Sequence, residues 1–290
     1  MAGDYFTGRT CLITGAGGGI GRALAVQLAQ RGARLVLWDS DTEALAGTVD
    51  AVGWAPGVPV SDASAAVLRA DVVDVTDHAA VAEAARAVGD DVGPGGVDLV
   101  VCLAGVIHTG SVLASAAADV ERVVAVNLLG TMSSVSALLP LVVASGRGHV
   151  VTTSSAFGMV TVPRYAAYCA SKAAVRAYTD VLRLEIESAG LPVRVSCALP
   201  GGVATGIVRE GGFADGEDAA AVVARFEDRI ARTSPEEAAR VILRGIERGR
   251  RQILVGPDAR AVAAVTRLTG NAYQRLLPRL MRRHTRPGRS

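Results

Sequence analysis

Tyr168 and Lys172 stand four residues apart in the run Y-C-A-S-K, and on a helix that spacing puts both side chains on one face. A phenol titrates near ~10 and is a poor base at neutral pH, but a neighbouring cation favours the phenolate and draws its pKa toward the working range. Lys172 is placed to supply that cation. Composition points the same way: of 30 basic residues all but one are arginine, and Lys172 is the single lysine. A compact ammonium donates in several directions beside a phenol, whereas the planar fork of arginine demands another geometry. Upstream, Ser154 and Ser155 close the apolar run V-V-T-T-S-S, which reads as a strand end offering a hydroxyl. Tyr165 is a competing phenol, but the position four residues after it is Cys169, so it reads as pocket lining.

The segment resembles the active site of the classical short-chain dehydrogenase/reductase family, whose signature is Tyr-x-x-x-Lys with a serine upstream. Ser155, thirteen residues before Tyr168, has the family spacing, and Ser154 is the weaker candidate. Asn127, one of two asparagines in the chain, lies in the apolar run A-V-N-L-L-G-T-M, where an amide costs stability unless it is paired. It matches the family's Asn-Leu-x-Gly motif. The resemblance implies that Tyr168 exchanges the proton, Ser155 hydrogen-bonds the substrate oxygen and Lys172 lowers the phenol pKa and binds ribose. It implies that Asn127 opens its helix and holds a water on the proton path to the lysine. The resemblance runs from Thr7 to about Gly256.

These residues need a frame, and the chain opens on one. Arg9 to Gly32 reads as a short apolar strand, a glycine cluster and an amphipathic helix, the dinucleotide-binding unit. Gly15 permits the tight turn, Gly19 and Gly21 allow close approach, and the helix N-terminus offers N–H groups to a pyrophosphate. The spacing Thr14-Gly15-x-x-x-Gly19-x-Gly21, with Gly17 and Ile20 inside it, is the short-chain family's version. The next strand ends at Asp39, where a carboxylate can accept from ribose hydroxyls and repel a phosphate, so NAD is favoured over NADP. Gly18 and Ser40, where NADP users often carry a basic residue, are neutral. Asp41 reads as the cap of the following helix.

The resemblance assigns adenine contacts to Asp74 and Val75, with Asp71 a rival because the third strand, read as Ala66 to Ala70, cannot be ended to the residue. Asp77 reads as a helix cap. A fourth strand ends in Ala104-Gly105, letting backbone lie against the cofactor, but Cys102-Leu103 stands where the family has Asn-Asn. That stretch must be held by packing. Asn127 falls in one long helix expected from about Ser115 to Val143. Pro200-Gly201-x-Val203-x-Thr205 matches the family's nicotinamide segment, and Gly206 to Thr233 reads as a substrate-covering lid. Met159, Thr161, Tyr165 and His108 mark the expected pocket, though a loop histidine such as His108 is more often an ordinary surface group. Ser234-Pro235-Glu236-Glu237 opens the last helix of the fold as a cap signature.

Net charge is +2, which makes no case for nucleic acid, and no histidine or cysteine has ligand spacing, so no metal is expected. Cys11, Cys102, Cys169 and Cys197 read as core thiols in a reducing compartment. No signal peptide is visible and the apolar runs read as too short to span a bilayer, so a cytoplasmic protein is expected. Residues 53–66, with Pro56 and Pro59, read as a surface insertion. From Arg275 to Ser290 there are six arginines and no acid. Val262, Val265, Ala272, Leu276 and Leu280 recur at helical spacing in that C-terminal region, interrupted by Gly270 and Pro278. Packing against protein is the default for such a stripe, with an anionic membrane surface as the alternative.

The expectation is a single doubly wound (Rossmann-type) α/β domain over residues 1–256, with a mostly parallel seven-stranded sheet, and a basic helical extension over 257–290. The function expected is that of an NAD-dependent oxidoreductase interconverting a secondary alcohol and a ketone on a largely apolar substrate, in a homo-oligomer. The alternatives are a peripheral-membrane lipid, sterol or retinoid dehydrogenase and a non-catalytic dinucleotide-sensing scaffold.

Overall fold

The computed structural model describes residues 4–53 and 66–274. Most of the proline-bearing insertion and the tail with Leu276 and Leu280 lie outside the described residues. Strands β1 (Thr10–Thr14), β2 (Arg34–Asp39), β3 (Val67–Val72) and β4 (Leu99–Cys102) come first. A short β5 (His108–Thr109) precedes β6 (Gly148–Thr153) and β7 (Val193–Pro200), and β8 (Gly212–Phe213) precedes β9 (Gln252–Val255). Seven of these form one sheet in the order β3-β2-β1-β4-β6-β7-β9, with every neighbouring pair parallel. β5 and β8 pair apart from it.

A parallel sheet needs cover on both faces, which is why β1 and β4 are fully buried and read as unbroken apolar runs. Alternate residues go to opposite sides. Cys11, Ile13, Leu35, Leu37 and Val101 pack with Leu24 and Leu28 of α1 (Gly19–Gln30) and Ile242 of α8 (Pro235–Glu247). Leu12, Val36, Trp38 and Val100 pack with Val81 of α3 (His78–Val92), Leu138 of α5 (Gly130–Ala144) and Leu182 of α6 (Ala166–Ser188). Each such leucine buried contributes about 1.5–3 kcal/mol. The expected doubly wound α/β fold is the observed one. Strand order reverses between β1 and β4, opening the crevice at their carboxyl ends.

Three helix starts follow the capping chemistry read from sequence. Asp41 accepts from Ala44 N at 2.9 Å at the head of α2 (Thr42–Gly53), Asp77 accepts from Ala79 N and Ala80 N, and Ser234 accepts from Glu237 N at 3.1 Å. Two spans differ. β3 runs on to Val72, because Asp71 is held inside it by Trp38 Nε1 at 3.1 Å and Arg69 Nε at 2.7 Å. The expected single helix is α4 (Ala117–Val124), a π turn over Ala125–Leu129, then α5. Taken together, Ala117–Ala144 is long and apolar enough to cross a membrane by length and composition, contrary to the sequence reading of short apolar runs. In the fold one face of it packs into the core, with Val123, Val135, Leu138 and Val142 buried, while Leu129 and Met132 remain exposed. After α7 (Ala219–Arg229) and α8, the chain ends its described course in α9 (Pro257–Thr269) and a short turn through Ala272.

Candidate active site

The site forms where the ends of β1, β4, β6 and β7 meet the start of α6. Ser154 and Ser155 follow β6, and the structure gives them different work. Ser154 Oγ donates to the Lys172 carbonyl at 2.6 Å, tying the strand end to α6. Ser155 Oγ accepts from Phe157 N at 3.1 Å and reaches Pro200 O at 3.4 Å, leaving it beside the phenol. Tyr168 and Lys172 are both buried on one face of α6. The ammonium lies 5.8 Å from the Tyr168 ring centroid and donates to Thr153 O at 3.0 Å.

Burial dominates the electrostatics here. It pushes the Tyr168 phenol up to about 12, against the opposing pull of the Ser155 hydroxyl. It pulls the Lys172 ammonium down to about 8. In the protein alone, then, burial raises the phenol, and the group that opposes the rise is the Ser155 hydroxyl, not the lysine that the sequence reading put forward.

Asn127 sits fully buried in the π turn, so the helix departs from α winding where the resemblance implied that it opens. Three hydrogen bonds hold its amide. Nδ2 donates to Val106 O and Ser171 Oγ, each at 3.0 Å, and Oδ1 accepts from Val106 N at 2.8 Å. The side chain thus pins the loop after β4. A side chain at Gly105 would begin 3.1 Å from Asn127 Oδ1 and 3.2 Å from Lys172 Nζ, so the glycine lets amide and ammonium approach the same backbone.

The glycine cluster builds a cradle from which side chains are excluded. Gly15 has φ 69°, and a Cβ there would lie 2.6 Å from Ala104 N. One at Gly19 would lie 2.9 Å from the Thr205 methyl, and one at Gly21 would strike the Gly15 carbonyl. Gly18 caps α1 without a side-chain bond, leaving first-turn N–H groups, including that of Ile20, for an anion. Asp39, at the end of β2, accepts from Gly17 N at 2.8 Å and Asp41 N at 2.9 Å. Asp74 accepts from Thr76 N and Oγ1 in the turn that buries Val75 against Gly130. Its rival Asp71 is occupied by Trp38 and Arg69.

Where the family carries Asn-Asn, Cys102 is buried in one core and Leu103 packs on the other. The backbone after β4 is also tied to β1, since Leu103 N donates to Thr14 O at 3.1 Å and Ala104 N to Thr14 Oγ1 at 3.3 Å. Packing was the expectation, and the Thr14 hydroxyl supplies the rest. Pro200 ends β7, Gly201 N donates to Val255 O, Val203 is buried, and Thr205 faces Gly19 across the crevice. The uncapped first turn of α1, beside glycines where no side chain fits, suits an anionic group such as a pyrophosphate.

Beyond the phenol the wall is apolar. Ile107, Val123 and Ala167 cluster with Tyr168, and Val106, Phe157, Tyr165 and Ile207 pack against them. Phe157 presents its edge to Tyr168 at 6.3 Å. The sequence missed six of these, because only the fold brings the loop after β4, α4, the start of α6 and the segment after β7 together. His108 is corrected: it is buried in β5 opposite Gly212, with Asp119 Oδ2 3.9 Å from Nδ1, because the lid strand covers it. Two further residues had no motif to announce them. Asp258 of α9 accepts from Gly202 N at 2.6 Å and so fixes the segment after β7. The Tyr273 hydroxyl accepts from Thr161 N at 3.0 Å and bonds Thr161 Oγ1 at 3.2 Å, fastening the C-terminal region to the loop between Ser155 and Tyr168.

Known proteins share this sequence pattern and this fold. The short chain dehydrogenase family pattern matches residues 9–212. The Mycobacterium tuberculosis protein SadH is 41% identical over 272 residues, covering 94% of this chain and 95% of its own. Mouse 17-beta-hydroxysteroid dehydrogenase 13 is 31% identical over 250 residues, covering 86% of this chain and 74% of its own. A short-chain dehydrogenase/reductase from Burkholderia phymatum, solved in complex with NAD, superposes with a TM-score of 0.79 at 30% identity, covering 98% of this chain and 99% of that one. The chain belongs to the short-chain dehydrogenase/reductase family of oxidoreductases.

Proposed function

We propose that this protein is an NAD-dependent dehydrogenase that interconverts a secondary alcohol and a ketone on a largely apolar substrate. The observation that carries the reading is Tyr168 and Lys172, buried on one face of α6 beside Ser155, with Ala104-Gly105 packed between Lys172 and the glycine turn after β1. The bound dinucleotide would supply the hydride acceptor or donor. Everything else falls to the chain.

The first-turn N–H groups of Gly19, Ile20 and Gly21 would hold the pyrophosphate, with Thr14, Gly15, Gly17, Ala104 and Gly105 shaping the turn around it. Asp39 receives the adenosine ribose and disfavours a phosphate there, which supports NAD over NADP. Asp74 and Val75 bound the adenine. Pro200, Gly201, Val203 and Thr205 would hold the carboxamide end, and Lys172 would bind the second ribose. Ser155 Oγ orients the substrate oxygen, and Tyr168 Oη takes or returns its proton. Lys172 keeps that proton mobile by favouring the phenolate as it forms, and Asn127 holds the Val106 loop against which the ammonium packs. The cluster of Ile107, Val123, Phe157 and Ile207 around the phenol favours an apolar body on the carbinol carbon. The name of the mouse hydroxysteroid dehydrogenase describes such a substrate.

Exposed Val181 and Leu184 on α6, with Leu129 and Met132 at the start of α5, suit packing between subunits of a small homo-oligomer. The functional test is a panel of secondary alcohols with NAD, followed by absorbance of the reduced cofactor. Wild type oxidises at least one class, and Tyr168→Phe loses at least ~100-fold while keeping cofactor affinity. Turnover surviving in Tyr168→Phe would remove the phenol from the mechanism. Dinucleotide binding without turnover on any alcohol would favour the sensing scaffold instead.

A further inference from the structure

Val162-Pro163-Arg164-Tyr165 makes a tight turn in the loop between Ser155 and Tyr168, closed by Tyr165 N donating to Val162 O at 3.3 Å. A turn with proline at its second place and positive φ at its third ordinarily takes glycine at the third. Here that residue is Arg164, with φ 76°, the one non-glycine residue in left-handed backbone among the described residues. Such a conformation is unfavourable for a residue with a side chain, and it persists where the surroundings impose it. Two contacts impose this one. The Arg164 carbonyl accepts from Gly110 N at 2.8 Å, just after β5, and the guanidinium pairs with the Glu217 carboxylate.

Glu217 belongs to the segment after β7 that carries β8. A second turn, Ala214-Asp215-Gly216-Glu217, closes with Glu217 N donating to Ala214 O at 3.1 Å around Gly216 at φ 79°, and it returns a side chain only 11% exposed to the Arg164 loop. The same segment lies along β5, where Gly212 N donates to Ile107 O and Ala214 N to Thr109 O, each at 2.9 Å. Near its start, Ile207 packs against the cluster of Ile107, Val123, Ala167 and Tyr168. A strand pair this short has little stability of its own, so side chains must help to keep it shut. We propose that Arg164 and Glu217 are positioning residues that latch this lid closed beside Tyr168, and that the left-handed turn is what aims the guanidinium at the lid. The consequence for turnover rests on the reading of Tyr168 as the reacting phenol, whereas the latch itself can be read in the free protein.

The test is hydrogen exchange of the full chain without substrate, followed by mass spectrometry of the peptide over 206–217. Arg164→Gly accepts the turn and strands the Glu217 carboxylate without its cation, which penalises the closed lid. Exchange of that peptide should quicken at least ~10-fold, with the peptides of β6 and β7 unchanged. Adding Glu217→Gln removes the stranded charge, so the double variant should exchange more slowly than Arg164→Gly alone, a rescue that a merely structural role for Arg164 does not give. With an alcohol that wild type oxidises, Arg164→Gly should raise the alcohol KM by up to ~10-fold without lowering kcat or changing the KM for NAD, and the double variant should bring the alcohol KM back down. Lid exchange unchanged in Arg164→Gly overturns the latch, as does exchange that the second substitution worsens or an increase spread over the whole sheet. A kcat that falls at constant KM overturns it too. The expected exchange pattern in a chain that oxidises no alcohol supports the latch and counts against the dehydrogenase reading alone.

Discussion

Replacing Lys172 with methionine should abolish turnover and at the same time alter the pH dependence of stability over the range in which the lysine titrates. Burial lowers the lysine from its ordinary 10.5 to about 8. Between those values the unfolded chain holds a proton that the folded chain has released, so stability rises with pH across the window. Below about pH 8 both states are protonated and the full cost of burying the ammonium is present. With about 1.4 kcal/mol per pKa unit, that cost is about 3 kcal/mol at neutral pH and vanishes above the ordinary lysine value. A methionine in its place would not titrate. Losing the donor to Thr153 O costs about 1–3 kcal/mol, but that penalty is independent of pH. Urea unfolding of wild type and Lys172→Met, repeated from about pH 7 to about pH 10.5, therefore gives a difference that changes by about 3 kcal/mol in favour of wild type as pH rises. Tyrosines and cysteines titrate in both proteins and cancel, and there is no other lysine to confuse the window. A difference that stays flat within about 0.5 kcal/mol would refute the claim that an ammonium is buried there at neutral pH.

Three other outcomes follow from the geometry. Asp39→Ala removes a carboxylate that a 2′-phosphate would approach, and at about 4 kcal/mol per pair of charges near a surface the NADP/NAD preference ratio should rise at least ~100-fold; an unchanged ratio in kcat/KM would detach Asp39 from cofactor choice. Ser154→Ala, which leaves the Lys172 carbonyl without its hydroxyl donor, should lower stability by about 1–2 kcal/mol with modest effect on rate, whereas Ser155→Ala, which also leaves Phe157 N without its acceptor, should lower stability by about as much and in addition lose ~100-fold in kcat. Parallel urea curves and rates for the two variants check that division. Tyr273→Phe removes the two bonds to Thr161 while keeping the ring, and should raise KM for bulky alcohols more than for small ones without changing the KM for NAD; equal effects on both would make Tyr273 merely structural.

Much of the site was legible because it is built from local rules. Tyr168 and Lys172 meet through helical periodicity, and a Cβ at Gly21 would strike the Gly15 carbonyl within the same turn. Asp41, Asp77 and Ser234 cap helices because short oxygen-bearing side chains next to a helix start have N–H groups within reach. The alternation of strands and helices, with apolar strands buried on both faces, specified the doubly wound sheet.

What the chain alone determined, then, is the chemistry that depends on neighbours along the backbone: the phenol and ammonium one helical turn apart, the glycine cradle, the acid at the end of β2. Tertiary structure decided everything that depends on desolvation and long-range contact. It raised the phenol and lowered the ammonium by burying both, a cost that spacing cannot reveal. It gave Ser154 to the Lys172 carbonyl and left Ser155 beside the phenol, although the two adjoin in sequence. It buried His108 under a lid strand far along the chain and brought Asp258 and Tyr273 back onto the site. Burial and contact across the fold are properties of the packed whole, and no window of sequence contains them.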